Sequence, residues 1–389
     1  MRFSEKLSGA LSAAVIIVGL IFNSGCATSG PQLKKVTDAE RTRILNGSAL
    51  SPDMASLQDL PERDVLGMTD DMKVFVRRAV SRYRGEGEKL KAILAAIISP
   101  HRMGLTYDGT ASFTASETFK NRRANCLSFT TMIVSMLRYA GLQAEFNDVD
   151  IPPIWDLQND NMMVMYRHVN ALVTFPDGDR EVVDFNMEEY NTHYPQHRIS
   201  DEVAVAQYFN NRGVELLLHN KITDSFRYLR KALELAPDVP FIWINLGALY
   251  RNQGKLNAAE IAYREALEIE PDNLVAISGA ERIYRQLGLT ELSEAFARRA
   301  RYFRQRNPYY LYQTAKDAFL AGHYKTALNN IRAAIRRYDE EHRFYFLQGV
   351  IYKALDEPIQ ATESFNKAIE LSSSGKQADK YRRKIENLM

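Results

Sequence analysis

Residues 237–271 read PDVPFIWINLGALYRNQGKLNAAEIAYREALEIEP. Two prolines, Pro237 and Pro271, stand 34 residues apart and bracket Trp243, Leu246, Gly247, Tyr250, Gly254, Ala259, Tyr263 and Ala266. The spacing predicts two helices that cross closely. Gly247 and Ala266 supply small surfaces at the crossing, and Trp243 and Tyr250 fill the groove toward a neighbouring pair. Pro271 ends the second helix because it has no amide to donate.

The same template fits on both sides of that stretch. Upstream, Phe209, Gly213, Leu229, Ala232 and Pro237 take the matching places. Downstream, Ile277, Ala280, Tyr284, Gly288, Ala297 and Ala300 give a weaker copy. A three-residue insertion near Asn307-Pro308 precedes Ala315, Ala318, Gly322, Ala327, Ile331 and Ala334, and a sharp copy follows at Tyr345, Gly349, Tyr352, Ala361, Phe365 and Ala368. The pattern resembles tetratricopeptide repeats, five of them over roughly 206–374. A helix within 375–389 covers the last apolar face. A solenoid of this kind presents a concave face to a protein or peptide partner. Arg298, Arg299, Arg301, Arg304 and Arg306, with Arg332, Arg336, Arg337 and Arg343, form either a solvated face or a docking surface for acidic groups.

The 389 residues are 46% hydrophobic and 25% charged with a net charge of +2, so no global charge excess points to nucleic acid. Arg2 and Lys6 precede an apolar run, Leu11 to Phe22, that is short for a bilayer span. Ser24-Gly25 then lead to Cys26. Residues 1–26 resemble a bacterial lipoprotein signal. That resemblance implies an exported protein with a lipid on Cys26, and Ala27 implies the outer membrane, facing the periplasm. Residues 27–65 are polar, carry Ser29-Gly30-Pro31 and Ser51-Pro52, show only fragments of helical periodicity around Ala39 to Leu45, and read as a tether.

Residues 66–200 lack the repeat and read as helices followed by strands, an α+β unit. Thr69 caps a helix over Asp70 to Arg84, and a second runs from Glu88 to Ile98 and stops before Pro100. Thr114-Ala115-Ser116-Glu117 is a capped helical start. From Cys126 the apolar residues Phe129, Met132, Ile133, Met136, Leu137 and Ala140 form a helical stripe, which Gly141 ends. Of the two cysteines, only Cys126 remains as a thiol once Cys26 is acylated. It stands in the first turn of its helix, where unpaired amides and the positive dipole end favour a thiolate. Arg122 and Arg123 add positive charge beside it.

Leu142 to Val149 alternates as a strand, and Ile151 to Trp155 reads as a wall beside a site. His168 opens a strand, Asp177-Gly178-Asp179 is a hairpin turn, and Glu181 to Phe185 returns antiparallel. Asn-Cys-Leu-Ser-Phe at a helix start, His-Val-Asn on one strand and Val-Val-Asp-Phe-Asn on the next resemble the transglutaminase-like, papain-related superfamily over roughly Phe113 to Asn186. The resemblance implies that Cys126 is a nucleophile, His168 its base and acid, and Asp184 the group that orients His168. An oxyanion is expected to meet the Cys126 amide and a side-chain donor, with Asn121 and Asn125 as candidates. A three-residue turn sets Asp184 opposite Leu172, about 13 Å along the strand from His168, with Asn186 as the fallback. No cofactor or metal is expected: His193 and His197 have helical spacing but no third ligand.

Two functions are compatible with this sequence. One is a membrane-anchored envelope cysteine hydrolase or acyl transferase acting on amide bonds, with the solenoid recruiting a protein or peptide. The other is a catalytically inactive scaffold lipoprotein that mediates protein–protein interactions in an envelope complex.

Overall fold

The computed structural model describes residues 33–56, 60–61, 63–149, 168–185, 195–372 and 375–388. Cys26 and the signal segment, the Ile151–Trp155 stretch, Asn186 and His193 lie outside them.

The first correction concerns the tether. Its described part is folded: α1 spans Asp38–Leu45 and a 3₁₀ turn spans Pro52–Ser56. Thr37 and Glu40 close a reciprocal capping box on α1. Ile44 is fully buried, and Val36 and Met54 are buried beside it. The fragment of helical periodicity around Ala39 to Leu45 is α1 itself; what the sequence does not show is that this helix is packed. Its partners lie more than 200 residues away, beyond the reach of any local pattern.

The α+β unit opens with α2 (Asp70–Val80) and α3 (Glu86–Ile98). Thr69 caps α2 as expected, but α2 stops four residues before Arg84 and α3 begins two before Glu88. Then come β1 (Thr106–Tyr107), α4 (Ala115–Asn121), β2 (Arg123–Ala124) and α5 (Cys126–Tyr139). Gly141 follows α5 at φ +87°, a left-handed conformation that glycine adopts without strain. Among the described residues four further strands follow: β3 (Gln143–Val149), β4 (His168–Thr174), β5 (Arg180–Val183) and β6 (Gln196–Ile199). They form one antiparallel sheet in the order β5-β4-β3-β6. Phe146, Val169, Ala171, Val173 and Val183 join the core built on α5.

The polar stretch around His197 forms β6, an edge strand that pairs with β3. The sheet corrects the expected register of Asp184. The hairpin turn spans residues 175–179, with the Phe175 and Gly178 amides bonded across it to Asp179 and Phe175 carbonyls. Ala171 pairs with Val183, so the strand course carries Asp184 toward Asn170 rather than Leu172. His168 is then a diagonal neighbour of Asp184, within reach of a side chain.

Ten helices follow as five antiparallel pairs. They are α6 (Asp201–Leu218) with α7 (Ile222–Leu235), α8 (Pro240–Asn252) with α9 (Leu256–Ile269), α10 (Leu274–Gln286) with α11 (Thr290–Arg306), α12 (Pro308–Leu320) with α13 (Tyr324–Ile335), and α14 (His342–Ala354) with α15 (Pro358–Glu370). The helix α16 (Gly375–Leu388) closes the stack. The first pair begins at Asp201, five residues before the predicted start. The three-residue insertion near Asn307-Pro308 takes the form of a longer α11, 17 residues against 14 in α9. Trp243 and Tyr250 are buried where the groove reading put them. Gly247 faces the Tyr263 ring, and a Cβ there would lie 3.1–3.3 Å from it, tighter than ordinary contact.

Among the arginines of the stripe, Arg304 donates to Ser278, Arg332 to Tyr352, and Arg343 pairs with the fully buried Glu341; Arg298, Arg301, Arg306, Arg332, Arg336 and Arg337 are exposed.

One continuous core runs from Val36 through the α+β unit and the first three helix pairs as far as Ala300. The last two pairs have a core of their own. Tyr309, at the start of α12, packs with Val149 and Val182 of the sheet. The solenoid therefore meets the α+β unit at its first pair and again at its fourth.

Candidate functional site

Cys126 is the first residue of α5, and Asn125 is its N-cap. The Asn125 Oδ1 accepts from the Ser128 amide at 2.8 Å. Its Nδ2 donates to the Ser112 hydroxyl at 3.1 Å. Ser128 in turn donates its hydroxyl to the Ala111 carbonyl and accepts from the Phe113 amide, both at 2.8 Å. The 111–113 loop is thus wrapped onto the helix start. Cys126 itself is half-buried.

Two contacts seat this helix on the strands that carry the other candidates. The Thr130 hydroxyl lies 2.8 Å from the Cys126 carbonyl and 2.9 Å from the Val169 carbonyl, joining the first turn to the residue after His168. The Phe129 ring stacks on Phe185, next to Asp184, with centroids 4.7 Å apart.

His168 and Asp184 meet directly. The Nε2 atom lies 2.5 Å from Asp184 Oδ2, and the two side chains are 6% and 0% exposed. Asp184 Oδ2 also accepts from Asn170 Nδ2 at 3.1 Å. Asn147 Nδ2 reaches Asn170 Oδ1 at 2.8 Å and Gln196 Oε1 at 2.9 Å, so a row of amides on β6, β3 and β4 leads to the carboxylate just past the end of β5. Cys126 lies close enough to the same imidazole to favour its charged form.

Burial disfavours the charged ring, but hydrogen bonds and charge interactions with Asp184 and Cys126 outweigh it. The His168 pKa is raised from 6.5 to about 10. Near neutral pH the ring is an imidazolium between an acid and a sulfur.

The geometry alters the oxyanion candidates. Asn125 is committed at both ends of its amide, as cap and as donor to Ser112, so it is a structural cap rather than an open donor. Asn121 closes α4 and is exposed. Arg123 is drawn to Asp108 at 3.0 Å and adds little at the thiol. Asn147, Asn170, Gln196 and Thr130 escaped the sequence reading. Thr130 left a trace, since it lies one helical turn from Cys126 on the same face. Among the described residues no group of three or more His, Cys, Asp or Glu could hold a metal ion. No described helix is long and apolar enough to cross a membrane.

Known proteins bear on the C-terminal half. Residues 240–273 and 312–375 match models of the tetratricopeptide repeat. The chain carries tetratricopeptide repeats, and its paired helices form the corresponding solenoid. Human protein O-mannosyl-transferase TMTC1 is 30% identical over 73 residues, which are 19% of this chain and 8% of that protein. Among solved structures, YrrB, "a TPR protein with an unusual peptide-binding site", is 18% identical, covering 46% of this chain and 92% of its own, with a TM-score of 0.25. MamA from Desulfovibrio magneticus RS-1 is 16% identical over 44% of this chain and 96% of its own, also with a TM-score of 0.25. Identities and scores this low carry nothing about partner or activity. A tetratricopeptide solenoid is a scaffold for protein–protein interaction. The repeats thus favour the second of the two functions compatible with the sequence.

Proposed function

We propose that the chain is first an interaction scaffold, whose solenoid engages a protein or peptide on its concave face. The observation behind this reading is the stack of five antiparallel helix pairs, two stretches of which match the repeat models. Lipid attachment at Cys26 would hold the scaffold in a bacterial envelope, at the outer membrane and facing the periplasm; nucleic acid is not a partner. Complementation tests the reading. A Cys126→Ala protein made at wild-type level is expected to restore a deletion strain. A strain that keeps the null phenotype would overturn a purely scaffolding role.

A second reading is favoured by one observation, the buried His168–Asp184 pair on the strands against which the Cys126 helix start is seated. It makes the α+β unit a transglutaminase-like cysteine enzyme acting on amide bonds. The Cys126 thiolate adds to the acyl carbon. His168 gives its proton to the departing amine, leaving a thioester on Sγ. Water then attacks the thioester, losing its proton to His168 and releasing the acid. Asp184 holds the ring and balances its charge, and the Cys126 amide faces the developing oxyanion. Hydrolysis is favoured over transfer because water is the default acceptor outside the cell.

Labelling with iodoacetamide tests this second reading. Cys126 is expected to react at pH 7 about 10- to 100-fold faster than His168→Ala protein, as thiolates stabilised by a neighbouring imidazolium do. Equal rates in the two proteins would sink it.

A further inference from the structure

Charge is unevenly placed along this chain. From Thr290, where α11 begins, to Arg337, just past α13, ten Lys and Arg stand against three Asp and Glu, a net +7 in a chain of net +2. Asp339 and Glu340 follow only after α13 has ended. Burial sorts these cations. On α11 the inward stripe is Ser293, Phe296 and Ala300, and the outward one is Glu291, Glu294, Arg298, Arg301 and Gln305. Steps of three and four residues keep each stripe on one face of the helix. Arg299 and Arg304 turn inward instead, to the Pro271 carbonyl and the Ser278 hydroxyl. On α13 Ala327, Ile331 and Ala334 are buried, while Lys325, Asn329, Arg332 and Arg336 are exposed, and the helix holds no acid. Arg298 has a loose pair with Glu294 at 3.8 Å, and among the described residues Arg301, Arg336 and Arg337 form no ion pair.

The helices α11 and α13 are the second members of neighbouring pairs, and second helices line one side of a solenoid. The N-terminal segment joins the described fold on that same side. The Val36 amide donates to Glu268 at 2.6 Å and Arg264 donates to the Lys34 carbonyl at 2.9 Å, both from α9, the second helix of the second pair. Ten residues lead from Cys26 to Val36, at most about 36 Å of extended chain. A lipid on Cys26 would therefore keep a bilayer within that distance of α9, and α11 is the next second helix along. We infer that the outward arginines of α11 and α13 form a docking surface for anionic phospholipid headgroups, which lays this side of the solenoid on the membrane that holds the chain. This inference rests on the lipid attachment at Cys26 proposed above. Guanidinium suits the role, because its planar fork takes a phosphate through two parallel hydrogen bonds. Cations spread over two helices match a plane of headgroups, and the tether supplies that plane at high effective concentration.

The experiment follows modification of individual arginines by phenylglyoxal in the full chain, extracted from bacterial membranes and reconstituted in vesicles, with each peptide read by mass spectrometry. Vesicles of phosphatidylcholine are compared with vesicles of equal parts phosphatidylcholine and phosphatidylglycerol. Modification of Arg298, Arg301, Arg336 and Arg337 is expected to slow about fivefold or more on the anionic vesicles. It should recover in about 1 M salt, where charges are screened within about 3 Å. Arg84, exposed on the α+β unit, should react equally on both. Equal rates at the four arginines on the two kinds of vesicle overturn the proposal, and so does equal slowing of Arg84, the mark of general adsorption. Polyglutamate that slows the four where anionic vesicles do not would assign the surface to an acidic protein and overturn it too. Free glycerophosphate that protects as well as the vesicles would likewise replace the membrane by a soluble phosphate. The same spectra weigh the peptide carrying Cys26 and so separate the two claims. An acylated Cys26 with unprotected arginines defeats the docking surface alone. A Cys26 without acyl mass, with the arginines protected, defeats the lipid attachment and leaves the surface standing.

Discussion

Asp184→Ala is expected to destabilise the protein by about 3–5 kcal/mol at pH 6, because it strips the partner from a buried charged ring. The side chains of Asp184 and His168 are 0% and 6% exposed, so water cannot replace the lost carboxylate. The effect has a defined pH window. The folded-state pKa of His168 is raised from 6.5 to about 10, so the pair's contribution is fully present below 6.5 and is lost as pH rises through about 10. Urea unfolding followed by circular dichroism should show the gap between wild type and Asp184→Ala at its widest near pH 6 and shrinking toward pH 10. A gap that stays flat across that range would mean that Asp184 does not hold the ring charged. Asp184→Asn keeps an acceptor but no charge, and should fall between the two.

Ile44→Ala is expected to cost about 2–4 kcal/mol, the usual range for truncating a fully buried aliphatic side chain. Ile44 is 0% exposed although it lies in a polar stretch, because α1 is pressed against the solenoid. Around it, Tyr250 donates to the Ile44 carbonyl at 2.5 Å, and Arg41 and Arg264 pair with Glu265 and Glu40, each at 2.7 Å. The Thr37 amide and Arg264 hold the Glu40 carboxyl down to about 2. Hydrogen exchange reads the outcome locally: amides of residues 38–45 should lose protection in Ile44→Ala before the rest of the solenoid does. Unchanged protection there would show that the segment rests on the solenoid without being held by it.

These two sites were legible in the sequence to different degrees. Cys126, His168 and Asp184 could be picked out as residues because each sits at a local landmark: a helix start, a strand start and a strand end. Their mutual distance could not, because it depends on a hairpin register. Counting a three-residue turn set Asp184 opposite Leu172, whereas the 175–179 turn moves the ladder so that Asp184 approaches Asn170. A change of two residues in a turn shifts a carboxylate by about 7 Å, and composition does not encode that. Asn147, Asn170 and Gln196 were invisible for a related reason. Each is an ordinary polar residue on its own strand, and only pairing across the sheet makes them a row. The segment around Ile44 shows a fragment of helical period but looks solvated, because its few apolar residues have partners more than 200 positions away.

The sequence by itself determined the solenoid, since a 34-residue period of small and large residues repeats the same short-range packing in every pair. It also determined which thiol stands at a helix start, because caps and helical stripes act within a few residues. Only the tertiary structure decided what surrounds that thiol. The His168–Asp184 contact and the seat of α1 join residues separated by 16 and by more than 200 positions. Such contacts depend on how whole elements dock, and docking is set by the summed packing of many side chains rather than by any local pattern.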